Sequence, residues 1–162
     1  VLDQYIEQLK SPERTVRGRA ADSLSKSGLA EAVPHLVELL KDSDGYVRSR
    51  AIFGLVKLGA KETATQILPL LTDSDANART KAVEAMGKFG VKESINTLIN
   101  LLEDDDVYVK AKAATALAEL EAKDSVSKIM ALSADEEEDV RAAANAAVKK
   151  LMGGRRLLNT KL

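Results

Sequence analysis

The sequence has 162 residues, and its 24 Lys and Arg against 25 Asp and Glu give a formal net charge of −1, so a surface built wholly to hold a polyanion is excluded. Aromatic residues make up 3% and Trp is absent, which leaves little for base-stacking platforms or sandwich-type β cores. The absence of Cys excludes disulfide frameworks, thiolate nucleophiles and Cys-based zinc sites.

Residues 1–10 are predicted to form a short helix, with Ile6 and Leu9 on its apolar side. A second helix is expected around Val16-Arg17, where Val16, Ala20, Leu24 and Ser27 fall on one face of a 3.6-residue period and Gly28 closes the segment. Leu36, Leu39 and Leu40 then mark a helix of a different type. From there the pattern restarts. Val47-Arg48, Ala78-Arg79, Val109-Lys110 and Val140-Arg141 each follow the preceding pair by 31 residues without insertion, and Ala51, Ala82, Ala113 and Ala144 stand four residues beyond them. The columns Leu55, Met86, Leu117, Val148 and Leu58, Phe89, Leu120, Leu151 complete that face. We call this the inner helix, of roughly fourteen residues. Acids such as Asp42-Ser43-Asp44 and Asp73-Ser74-Asp75 cap its start, and Gly28, Gly59 and Gly90 end it in a left-handed conformation. The other type, the outer helix, returns with Ile67, Leu70 and Leu71, with Leu98, Leu101 and Leu102, and with Ile129 and Leu132.

A helix pair of this kind cannot bury its apolar stripe alone, so the 31-residue period implies an all-α fold, a right-handed α-solenoid of five stacked helix pairs. One domain over residues 1–152 is expected, with repeats at about 1–28, 29–59, 60–90, 91–121 and 122–152. Asn145, Lys149 and Met152 depart from the pattern and suit a polar terminal cap. Residues 153–162 read as a tail or as the severed start of another repeat, and Val1 in place of Met reads as a processed, trimmed or cut start. No apolar run approaches the ~20 residues that span a bilayer, and no basic and apolar leader opens the chain, so no membrane partner and a cytoplasmic location are expected.

The second copy, from Asp42-Ser43-Asp44-Gly45-Tyr46-Val47-Arg48 to Leu58-Gly59, resembles the HEAT-like repeats of the phycobilisome-lyase type, whose unit runs acid-x-acid-x-x-V-R-x-x-A-A-x-A-L-G-x-I-G. The resemblance covers residues 1 to about 152 and implies five HEAT-like helix pairs that serve as scaffold, adaptor or lyase subunit. It also implies an alternative function as a subunit of a bilin lyase or isomerase, against which the lack of Cys and Trp speaks.

No active site is legible, and no enzyme, catalytic residue, cofactor or metal is expected. His35 is the one histidine and takes a solvent-facing place on an outer helix, where other copies have Gln66, Thr97 and Lys128. The acidic loops lack the length and closing Glu of a calcium hand. The Val-Arg column, Arg17, Arg48, Arg79, Lys110 and Arg141, is expected to pair with loop acids of neighbouring repeats. The informative surface is the side of the inner helix turned from the core, the concave side of the expected solenoid. Nine bases against five acids leave it +4, and Tyr46, Ser49, Arg50, Phe53 and Lys57 share it in the second copy. Lys81, Lys88, Tyr108 and Lys112 extend the row. Together Tyr46, Arg50, Phe53, Lys57, Lys81, Lys88, Tyr108 and Lys112 are the candidate partner-binding residues of a non-catalytic protein-interaction scaffold. Its partner is expected to be a protein or peptide, with an acidic or phosphorylated ligand favoured by charge. Nucleic-acid or other polyanion binding through the basic columns is a further alternative, disfavoured by the interspersed Glu84, Glu119, Glu138 and Asp139.

Overall fold

The computed structural model describes residues 2–153, and these are helical apart from short connections. The chain divides into two compact units, Val1–Ser94 and Ile95–Leu162. Of the expected tail only Gly153 is described; the rest of residues 153–162 lies outside the described residues.

In the first unit α1 (Leu2–Gln8) precedes the inner helix α2 (Arg14–Ser27), the outer helix α3 (Ala32–Leu39), the inner helix α4 (Gly45–Lys57), the outer segment α5 (Ala64–Ile67) and the inner helix α6 (Ala76–Phe89). The inner helices have the expected length and ends. Asp44 and Asp75 accept N–H groups of the first turn of α4 and α6, from Tyr46 and Ala78, and so satisfy donors that have no partner within the helix. Gly28, Gly59 and Gly90 close the three helices at φ of 69, 68 and 74°.

The most extensive contacts of this unit join α2 to α4 and α4 to α6. Ala20, Ala51 and Ala82 have no exposed surface, and their small side chains let neighbouring backbones approach. Leu24, Leu36, Ile52, Leu55, Ile67, Leu71 and Met86 fill the space between inner and outer layers. Two contacts are closer still. A Cβ on Gly18 would lie 2.4 Å from the Tyr46 ring, and one on Gly45 would lie 2.2 Å from Cβ of Asp75, so both positions require glycine.

The second unit repeats the plan with α7 (Ile95–Asn100), the inner helix α8 (Val107–Glu119), α9 (Val126–Ala131) and the inner helix α10 (Glu138–Leu151), and its most extensive contact joins α8 to α10. Leu98, Val109, Ala113, Leu117, Ile129, Val140 and Ala144 are buried. Asn145, expected at the polar cap, is exposed and bonds Ser133 through Oδ1 at 3.0 Å.

The outer layer differs from expectation. From the third copy on, each outer helix is a short α segment flanked by 3₁₀ turns, as in Lys61–Thr63, α5 and Leu68–Thr72. A 3₁₀ turn rises about 2.0 Å per residue against about 1.5 Å in an α-helix, so the short outer segment covers more of the length of its inner partner. Pro69 suits this break, having no N–H to donate. Thr63, Ser94 and Ser125 start these segments as a buried hydroxyl column, each donating to the carbonyl three residues back at 2.6–2.7 Å.

Candidate functional site

The loops and the first turn of the inner helices are held by a repeated clamp. Arg17 donates from Nε and Nη2 to the two oxygens of Asp42 at 2.7 and 2.9 Å, and its Nη1 reaches back to the carbonyls of Ser11 and Pro12. Arg48 grips Asp73 in the same way at 2.7 and 2.6 Å and bonds the Asp42 carbonyl at 2.7 Å. Each guanidinium therefore joins its own loop to the loop of the next repeat, as expected of the Val-Arg column, and uses its planar fork to do so. In the second unit Lys110 reaches Asp135 at 2.7 Å with a single ammonium.

These carboxylates are more acidic than usual. Burial pushes Asp42 and Asp73 upward, but the hydrogen bonds from Arg17 and Arg48, the backbone N–H groups of Asp44 and Asp75 and the nearby cations outweigh it, and both are held below the ordinary range. Asp135 is lowered chiefly by its bond to Lys110 and the Glu137 N–H. The clamps explain the acidic loops as structural parts.

Next to them lies the candidate surface. In the first unit the exposed stripe of each inner helix reads Thr15, Arg19, Asp22, Lys26 on α2, Tyr46, Arg50, Phe53, Lys57 on α4, and Asn77, Lys81, Glu84, Lys88 on α6. Side chains meet across these helices at a constant offset of 28 residues: Gly18 with Tyr46, Asp22 with Arg50, Phe53 with Lys81. A constant offset, as opposed to a constant sum, means that the three helices run parallel, so the stripes align as a grid.

At its centre is Phe53, 37% exposed. The Arg50 guanidinium lies 4.9 Å from the ring centroid and the Lys81 ammonium 5.8 Å, both within cation–π range. Arg50 also donates Nε to Asp22 at 2.7 Å, and Lys81 pairs with Glu84 at 2.8 Å. The cations beside the ring are thus held in place by acids, and an apolar face with a fixed cationic border results. Lys57 and Lys88 are exposed at the last turns of α4 and α6 and make no ion pair among the described residues.

Other expected site residues lie differently. Tyr46 is not fully presented to solvent: its ring covers Gly18 on α2. Ser49, expected on the exposed face, is buried and donates its hydroxyl to the Tyr46 carbonyl at 2.7 Å. His35 is half-buried, less exposed than its expected solvent-facing place implies. Tyr108 and Lys112 belong to the second unit, where both are exposed on α8, Tyr108 to 65%. Beyond the expected residues, Arg14, Thr15, Asp44, Gly45, Tyr46, Asp75 and Asn77 line an open cleft of ≈ 350 Å³ at the start of the inner helices. Tyr46 joins this cleft to the grid. The signal for it was the glycine at 45 in a column where other copies carry a side chain, Arg14, Ala76 and Val107.

Among described residues no helix is long and apolar enough to cross a membrane. The family profile described as HEAT repeats matches residues 1–56, 33–107 and 64–149. No curated protein sequence matches the chain. Among solved structures the chain is similar to the complex of CpcE and CpcF of phycocyanin lyase from Nostoc sp. PCC7120, with a TM-score of 0.82 at 22% identity over 94% of this chain. It spans 65% of the length of that chain. A designed armadillo repeat protein in complex with the peptide (KR)4 matches with a TM-score of 0.64 at 20% identity, covering 93% of this chain and 81% of that one. An engineered protein matches at 0.70 and 22% identity, covering 94% and 81%. These likenesses establish an all-α repeat solenoid of the HEAT and armadillo kind, built of stacked helix pairs.

Proposed function

This chain belongs to the HEAT-repeat family, and from that premise we propose that it is a non-catalytic, cytoplasmic interaction scaffold whose partner, a protein or peptide, binds the exposed side of the inner helices. The observation that carries the reading is the Phe53 ring, left partly open between Arg50 and Lys81 on two packed helices. An aromatic bordered by cations on rigid elements has the composition of an interaction hot spot. Its rigidity lowers the entropy lost on association, because Asp22 and Glu84 already hold the two cations. Tyr108 and Lys112 offer a corresponding surface on the second unit. The similar structures support binding as the kind of activity, since one is a complex of CpcE with CpcF and another a complex with a peptide.

The test is a comparative pull-down with the purified chain, an Arg50→Ala, Phe53→Ala double variant and a Glu38→Lys, Glu62→Lys outer-helix variant. Proteins retained by the parent and the outer variant, and lost from the double variant with a weakening of ~10-fold or more, are the expected result. Partners lost only from the outer variant would overturn it.

A second reading, a subunit of a bilin lyase or isomerase, is favoured by the likeness to the phycocyanin lyase structure alone. A change in bilin absorbance on addition of the purified chain would support this reading over the scaffold.

A further inference from the structure

The scaffold reading leaves the chemistry of the partner open, and the grid narrows it. Lys26, Lys57 and Lys88 occupy the last turns of α2, α4 and α6, one per repeat, and all three are exposed without an ion pair among the described residues. Because the three helices run parallel and these lysines recur every 31 residues, their positions on the helices form a line at one end of the grid. Packed helix axes lie about 8–10 Å apart, which sets the spacing along that line. The cations one row in are different: Arg50 is engaged by Asp22 and Lys81 by Glu84.

Resting on the scaffold reading, we propose that the ligand of this face is an acidic segment in the polyproline II conformation that places one carboxylate per turn against Lys26, Lys57 and Lys88. Polyproline II has three residues per turn and a rise of about 3.1 Å per residue, so side chains at i and i+3 point the same way about 9 Å apart, the spacing of the lysines. A β-strand fails this match, since residues three apart point to opposite faces. An α-helix reaches the spacing at i and i+7, but its diameter of about 10–12 Å would cover Asp22 and Glu84, which lie one helical turn from the lysines, and would desolvate both. The thin polyproline chain meets the lysine line alone and leaves an apolar side chain free to reach Phe53. A nucleic-acid backbone carries charge on every residue and would bring phosphates against those same two acids.

Fluorescence anisotropy at low ionic strength tests this with labelled synthetic peptides: (Glu-Pro-Ala)4, a permutation of it with the four Glu contiguous, an Ala-rich helical peptide with Glu every seventh residue, and an oligothymidylate. The spaced peptide is expected to bind at least about fivefold more tightly than the contiguous one. Lys26→Ala, Lys57→Ala and Lys88→Ala should each weaken it by about two- to fivefold, the range of exposed ion pairs, while Lys92→Ala, which removes the same charge from an outer 3₁₀ turn, should leave it unchanged. Equal binding of the contiguous peptide, tighter binding of the helical peptide or of the oligothymidylate, an equal effect of Lys92→Ala, or no binding of the spaced peptide would each overturn the proposal. If partners in the pull-down still depend on Arg50 and Phe53 in any of these cases, the scaffold reading stands and only this ligand class falls.

Discussion

The two units are built on one repeat, yet the first is joined by bidentate arginines and the second, within itself, by Lys110. Arg48 uses Nε and Nη2 on Asp73 and Nη1 on the Asp42 carbonyl, whereas Lys110 gives one bond to Asp135. The end of α8 differs in the same direction. Gly59 and Gly90 take the left-handed turn in the first unit, whereas in the second Glu121 takes it after α8 at φ 56° and a glycine, Gly153, takes it only after α10 at φ 66°. The backbone bond that closes the turn survives: Ala60, Val91 and Ala122 donate to Leu55, Met86 and Leu117, each at 3.0 Å. A repeat position therefore specifies a geometry, and the residue placed there sets how firmly it is held.

Removing a clamp acid should sharpen the contrast most. Asp73→Ala leaves the Arg48 guanidinium, 13% exposed, without its carboxylate and should cost about 3–5 kcal/mol in urea unfolding. Asp135→Ala should shift the midpoint less, because the ammonium of Lys110 is more readily rehydrated. The same network fixes the acid response. Asp42 and Asp73 have depressed values in the folded state, so their contribution is fully present above the ordinary carboxylate range and is lost as pH falls through it and below. Melting temperatures should accordingly stay level from neutral pH down to about pH 5 and drop below about pH 4. In the Asp73→Ala variant that drop should be smaller.

A smaller effect is expected where inner helices touch. Gly18→Ala would drive a methyl into the Tyr46 ring and should destabilise by about 1–3 kcal/mol. In a Tyr46→Ala background the three atoms nearest that methyl are gone, and helix propensity should make the same change stabilising by up to about 1 kcal/mol. A sign that does not reverse in this double-mutant cycle would show that the close approach is not held by the ring. In the second unit the corresponding residues are Ala111 and Asp139, and no such cycle is expected there.

The smallest expected change is Glu121→Gly, which removes the left-handed strain of a side-chain-bearing residue and should stabilise by about 1 kcal/mol. Calorimetry of this variant beside Gly90→Ala, expected to lose a similar amount, would bring the two units closer from both directions.

Much of this architecture can be read from residues alone. The spacing of Val47, Ala51 and Leu55 names the buried face of α4, Asp44 names its cap, and the recurrence of Val-Arg with a loop acid 25 residues on carries the clamps. The candidate site is legible only in part. Phe53 and its cations fall where helical periodicity puts them, but the pairing of Arg50 with Asp22 and the cleft at Gly45 are not visible in any one repeat.

What the sequence by itself determined is whatever repeats along the chain: the 31-residue period, the helix pairs, the caps and the family. Tertiary structure alone decided which residues of the exposed stripe remain available. A helical wheel places one helix against one plane, whereas α4 has an inner helix on either side, at an offset of 28 residues. The lateral neighbour α2 meets the Tyr46 ring at Gly18 and neutralises Arg50 through Asp22, while Phe53 and Lys57 stay open, because burial at the flank of a helix depends on the residue that the next repeat brings beside it.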